Sequence, residues 1–123
     1  MTKMLIVEDE EYILDLLVTM FERISYLQIF YTRNGTEALE MIRTNTPDIV
    51  LLDAQLSKLD GYEVCKYIKK DPTMSRTRVL MISGMTQNSD LIKAKEAGVD
   101  DYITKPFTSN VLIEKVESLL KYV

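Results

Sequence analysis

Ile49-Val50-Leu51-Leu52-Asp53 is the stretch that decides the reading of this chain. Four consecutive apolar residues, two of them β-branched, read as a strand buried on both faces. Asp53 closes the run, and a charge there is not core filler. Open α/β sheets present their ligand-binding residues at the carboxyl ends of such strands. Two other runs end in the same way. Met4-Leu5-Ile6-Val7 leads into Glu8 and Asp9, and Tyr102-Ile103-Thr104 leads into Lys105. Three acids and one ammonium at the ends of three buried strands describe a site for a cation and a phosphate.

Outward from these runs the pattern alternates. Strands are expected at 3–7, 27–31, 48–52, 78–83 and 100–103, and helices at about 10–23, 36–44, 61–70, 87–97 and 109–121. The helices repeat with a period near 3.6: Ile13, Leu17 and Met20 share a face in the first, Leu112, Val116 and Leu119 in the last. Asn34 and Asp60 are suited to cap helices beginning near Gly35 and Gly61. Gly98 suits a left-handed cap after the fourth helix, and Asp71-Pro72 stops the third. Five β-α units imply a parallel sheet with helices on both faces. The first, third and fourth strands are the most apolar and belong in the middle. The predicted fold is therefore α/β: a single-domain, flavodoxin-like (βα)5 sandwich with a five-stranded parallel sheet, order 2-1-3-4-5. Its switch point falls between the first and third strands, where Glu8, Asp9 and Asp53 converge.

Composition narrows the chemistry. The 123 residues suffice for one core, and 46% are hydrophobic, within the globular range. No apolar run approaches the roughly 20 residues of a membrane span, and the amino terminus opens straight into a strand. No signal peptide and no membrane partner are expected, and the reading favours a cytoplasmic location. Cys65 is single and lies on an apolar helical stripe, so packing explains it. The net charge of −4 argues against direct nucleic-acid binding. Lys66, Lys69 and Lys70 are flanked by acids and read as a solvated helix face. Histidine is absent. That removes the usual zinc sites and Ser-His-Asp hydrolysis, and the chain cannot carry phosphate on histidine.

The charged cluster has a definite chemistry. Glu8, Asp9 and Asp53 against Lys105 leave two uncompensated negative charges, those of one divalent cation. Carboxylate oxygens without sulfur or imidazole suit Mg²⁺, with Mn²⁺ as a substitute. Phosphoryl transfer asks little beyond in-line positioning and neutralisation of the equatorial oxygens. Asp53 is the candidate nucleophile. Ser83, ending Val79-Leu80-Met81-Ile82, offers a hydroxyl, and Gly84 leaves room for a phosphate to approach the backbone.

These residues resemble the receiver domain of two-component response regulators. The resemblance runs through Leu5-Ile6-Val7-Glu8-Asp9-Glu10, Asp48-Ile49-Val50-Leu51-Leu52-Asp53, Leu59-Asp60-Gly61, Ser83-Gly84 and Asp101-Tyr102-Ile103-Thr104-Lys105-Pro106-Phe107. It implies that residues 1–123 form one phosphoacceptor domain. Asp53 would be the phosphoacceptor, with Lys105 and Ser83 assisting. Glu8, Asp9, Asp53 and the backbone carbonyl of Gln55 would be the metal ligands, Glu8 mostly through a water. The Lys105-Pro106 bond would be cis, and Ser83 and Tyr102 would form a switch pair. A sensor histidine kinase or a histidine phosphotransfer protein would supply the phosphoryl group. The face of the fourth helix, fifth strand and fifth helix, around Ile92, Lys95, Tyr102 and Ile113, would then change. That face would control a partner or output domain, or form a phosphorylation-dependent homodimer.

The resemblance implies no enzyme in the ordinary sense. Such a domain assists its own phosphorylation and dephosphorylation and turns over no independent substrate. The chain departs from the family pattern at Ser57, where proline is frequent, and at Glu8, where aspartate is common. Gln55 and Met85 are expected to line access to the phosphoryl group, with Met85 hindering a hydrolytic water. Competing readings are a Mg²⁺-dependent phosphatase or phosphotransferase of related fold, a degenerate receiver that only binds protein, and a flavodoxin-like electron carrier. The acidic loop after the first strand repels a flavin phosphate, and the chain has no residues to spare for a cap domain.

Overall fold

In order along the chain, β1 (Thr2–Val7), α1 (Glu11–Glu22), β2 (Leu27–Thr32), α2 (Gly35–Asn45) and β3 (Ile49–Asp53) are followed by α3 (Gly61–Lys70), β4 (Arg78–Ser83), α4 (Asn88–Ala97), β5 (Asp101–Thr104) and α5 (Ser109–Leu120). The computed structural model describes residues 1–84 and 88–121. All strands pair in parallel in the order β2-β1-β3-β4-β5. Position in the sheet follows apolarity. β3 is buried throughout, β1 from Met4 and β4 from Val79, and these three are central. β2 and β5 mix exposed and buried residues and form the edges.

Side chains alternate across the sheet with the strand period of two. Met4, Ile6, Ile49, Leu51, Leu80 and Ile82 meet α1 and α5 through Leu14, Leu17, Phe21, Leu112 and Val116. Leu5, Val7, Val50, Leu52, Val79 and Met81 meet the other three helices through Ala38, Ile42, Val64, Cys65, Ile68, Ala94 and Ala97. Burying each large aliphatic or Phe side chain contributes about 1.5–3 kcal/mol, so the two layers hold the strand ends in fixed register. Asn34 accepts from the N–H groups of Thr36 and Glu37, and Asp60 accepts from Tyr62 N–H, as the caps predict. Gly98 has φ +82°. Among the described residues no helix is long and apolar enough to cross a membrane.

Two local expectations are corrected, and one helix end had no signal in the sequence. The buried stripe of α1 centres on Leu14, Leu17 and Phe21, while Ile13 and Met20 flank it half-buried. The helix is rotated so that Phe21 enters the core and Tyr12 stays in solvent. α2 ends on Thr46, a β-branched residue in the left-handed region at φ 44°, where no glycine had marked a stop. Lys69 does not lie on a solvated face. Its ammonium turns in to donate to Asp100 Oδ2 and to the Thr77 carbonyl, each at 2.8 Å. The same Asp100 oxygen accepts from Val79 N–H at 2.7 Å, which ties α3 to β4 and to the start of β5.

Candidate phosphoacceptor site

The central strands deliver their terminal residues to one edge. β1 and β3 are neighbours, with Val7 opposite Leu52, so Glu8 and Asp9 emerge beside Asp53. Asp53 lies opposite Ile82, and Ser83 opposite Thr104. The ladder continues past the strands: Ala54 N–H donates to the Ile82 carbonyl and Lys105 N–H to the Ser83 carbonyl, both at 2.8 Å. These bonds set Lys105 over the site. Its ammonium donates to Asp53 Oδ2 at 3.0 Å, and Gln55 N–H donates to Asp53 Oδ1 at 2.8 Å. Both oxygens of a buried carboxylate are thus held by donors. The Lys105-Pro106 peptide bond is cis, as the resemblance implies.

Carboxylate oxygens of Glu8, Asp9 and Asp53 lie within 4.8 Å of one another. Glu8 Oε2 accepts from Glu10 N–H at 3.1 Å, but the buried Glu8 Oε1 has no hydrogen-bond partner. Burial first, and the facing Asp53 carboxylate second, push the Glu8 pKa up to about 8. A fully ionised cluster of this kind is unfavourable without a compensating cation. The orphaned oxygen and three converging hard donors fit a divalent ion of the Mg²⁺ class. Arg33 supports the loop from outside, its Nε donating to the Asp9 carbonyl at 2.9 Å.

Residues 4–117 match the family model described as response regulator receiver domain. The chain belongs to the response regulator receiver family. Over 119 residues it is 38% identical to the alkaline phosphatase synthesis transcriptional regulatory protein PhoP of Bacillus subtilis, covering 97% of this chain and 48% of that protein. It is 36% identical over 119 residues to the probable transcriptional regulator ycf27 of Porphyra purpurea, covering 97% of this chain and 47% of that protein. The chain therefore spans about half the length of the curated relatives it matches. Among solved structures, a signal receiver domain of a signal transduction histidine kinase from Syntrophus aciditrophicus superimposes with a TM-score of 0.91 at 31% identity, covering 100% of this chain and 92% of that one. A beryllofluoride-activated DrrB receiver domain gives 0.86 at 29% identity, with 98% of each chain covered.

Within this receiver the predicted residues fall into two groups. Glu8, Asp9, Asp53 and Lys105 are brought together, and Gln55 is held against Asp53 by its own N–H. Ser83 ends β4 one residue past the partner of Asp53, its carbonyl accepts from Lys105 N–H, and among the described residues no hydrogen bond joins its hydroxyl to Asp53 or to Tyr102. Tyr102 sits on β5 opposite Met81 and is 37% exposed. Met85 lies outside the described residues. An added Cβ on Gly84 meets no atom within 4 Å among the described residues, so packing does not explain that glycine.

Two residues of the receiver site were missed in the sequence. Gly61 stands in the sequence as a helix start and as part of the Leu59-Asp60-Gly61 motif, neither of which gives it a contact with Asp53. A Cβ there would lie 2.3 Å from the Asp53 carbonyl oxygen and 2.7 Å from Ala54 Cα, so glycine is what lets α3 abut the end of β3. Tyr62, the next residue, is buried with its hydroxyl 3.5 Å from Ser83 Oγ. Its place after Asp60-Gly61 was the available signal. The ring was legible as apolar filling; the contact of its hydroxyl was not.

Proposed function

We propose that this receiver is a phosphorylation-activated signalling switch. Asp53 accepts a phosphoryl group from phosphohistidine on a sensor histidine kinase or a histidine phosphotransfer protein. A carboxylate oxygen attacks phosphorus, the phosphorus–nitrogen bond breaks, and the imidazole leaves with the electron pair. The product is an acyl phosphate on Asp53. The single observation that carries this reading is the buried Asp53 carboxylate held at 3.0 Å by Lys105 within an acid cluster suited to a cation. A degenerate receiver would have no need of that pair.

Glu8, Asp9, Asp53 and the Gln55 carbonyl would hold Mg²⁺, or Mn²⁺ in its place, whose charge offsets that of the phosphoryl oxygens. Lys105 shares that task from the other side. Ser83 then turns its hydroxyl to a phosphoryl oxygen, and Tyr102 moves inward on the same face of the sheet. The α4-β5-α5 surface changes as a two-state element biased by local charge. That surface passes the signal to a partner, to an output domain or to a second copy. Relatives are named transcriptional regulators, so the charge argument against nucleic acid concerns these 123 residues only.

Incubation with Mg²⁺ and a small acyl phosphate, followed by intact mass, tests the reading. One phosphoryl adduct is expected, removed by hydroxylamine and missing from Asp53→Asn. No adduct, or steady hydrolysis of a generic phosphate ester, contradicts it.

A further inference from the structure

Tyr62 is anchored at the end of β3, the phosphoacceptor strand, rather than to β4, which carries Ser83. Its N–H donates to Asp60 Oδ1 at 2.8 Å. Gly61 before it donates to the Ala54 carbonyl at 2.8 Å and leaves no space for even a methyl group against Asp53. These bonds fix the tyrosine backbone, and its buried side chain reaches the end of β4. Ser83 Oγ lies 3.5 Å from its hydroxyl, and both residues are buried. Among the described residues, neither hydroxyl has another hydrogen-bond partner.

This geometry sets two demands on Ser83 against each other. Turning to a phosphoryl group on Asp53 means leaving Tyr62, and the tyrosine hydroxyl then gives up this contact, a small cost because both residues also border an open pocket. We propose that Tyr62 is a positioning residue whose hydroxyl holds Ser83 in the resting orientation and so sets the threshold at which the switch turns. The proposal rests on the phosphoacceptor reading above. A separation of 3.5 Å is long for O–H···O. The bias therefore falls at the weak end of hydrogen-bond energies, about two- to fivefold in the switching equilibrium.

The test is a double-mutant cycle on the full chain. Wild type, Tyr62→Phe, Ser83→Ala and the double variant are titrated with beryllium fluoride in saturating Mg²⁺. Half-saturation is read from the backbone amide signals of Ala54 and of β4. Tyr62→Phe keeps the ring and its packing. Expected is half-saturation at about two- to fivefold less beryllium fluoride than wild type. The same substitution should have no effect in the Ser83→Ala background, and the Mg²⁺ dissociation constant should not change. An equal shift in both backgrounds would assign the effect to ring packing and overturn the proposal. So would a Tyr62→Phe titration that superimposes on wild type. If wild type ignores beryllium fluoride altogether, the phosphoacceptor reading falls and takes this one with it.

Discussion

The Lys105 ammonium donates to Asp53 Oδ2 at 3.0 Å across 52 residues of sequence. Asp53 is buried, and Lys105 is part-exposed over it. The pair divides the charge problem of the site. Lys105 answers part of the negative charge, and the cluster of Glu8, Asp9 and Asp53 could hold a divalent ion to answer the rest.

Removing Lys105 should separate metal binding from signalling. Lys105→Ala is expected to keep Mg²⁺ binding and to tighten it about fivefold, the scale of a single partly screened charge. The phosphorylated variant should fail to show the conformational change of wild type. Metal titration and amide spectra with and without a phosphodonor check both points. Normal switching would take the lysine out of the mechanism.

The raised Glu8 pKa gives a signed pH dependence. Its folded value of about 8 lies above the ordinary 4.5, so the folded metal-free protein binds the extra proton more tightly than the unfolded chain. That stabilisation is complete below about pH 4.5 and is lost as pH rises through about 8, with a slope of at most about 1.4 kcal/mol per pH unit for one proton. Thermal melts in chelator should fall across this window for wild type and stay flatter for Glu8→Gln. At neutral pH, Mg²⁺ binding should release a proton, measurable as a buffer-dependent binding enthalpy.

Gly61→Ala should push α3 away from β3. The added Cβ would meet the Asp53 carbonyl and the Ala54 backbone, neither of which is a flexible side-chain end. A loss of about 1–3 kcal/mol in urea unfolding is expected, together with weaker phosphoryl acceptance at Asp53. Wild-type stability in this variant would show that the helix can shift freely.

Thr46 is a β-branched residue at φ 44° closing α2. Thr46→Gly should relieve the left-handed penalty, less the entropy that glycine adds to the unfolded chain. A net gain of about 0.5–1 kcal/mol in urea unfolding is expected. Phosphorylation should be unaffected, since Thr46 lies at the carboxyl end of α2, before β3.

Cys65 should be inert while the protein is folded. Burial pushes its thiol up to about 12, and its Sγ faces the Ala97 carbonyl at 3.3 Å. Alkylation at neutral pH should proceed only through unfolding, with a rate that climbs with urea. Fast labelling of the native protein would mean that the α3–α4 interface opens locally.

Strand runs, caps and the order of the sheet were legible along the chain because they depend on local periodicity and on how much apolar surface a strand must hide. Asp53, Glu8, Asp9 and Lys105 could be placed together for the same reason: a strand's end is known once its apolar run is known. Contacts that depend on how two elements meet were not legible. Lys69 looks like any helix-face lysine until β4 brings Asp100 beneath it. The stripe of α1 turned toward Leu14 and Phe21 because the packed sheet, not the helical period, chooses which neighbouring residues face inward.

By itself, then, the amino-acid sequence determined the architecture and the chemical character of the site: three carboxylates and one ammonium at the carboxyl ends of a parallel sheet's strands. Only the tertiary structure decided how the parts bear on one another. It buried Glu8 Oε1 without a hydrogen-bond partner, made Gly61 a spacer, and stood the Tyr62 hydroxyl beside Ser83. The physical reason is range. Propensity and periodicity act over a few residues, whereas desolvation, close approach and hydrogen bonding between distant segments exist only once the chain has folded.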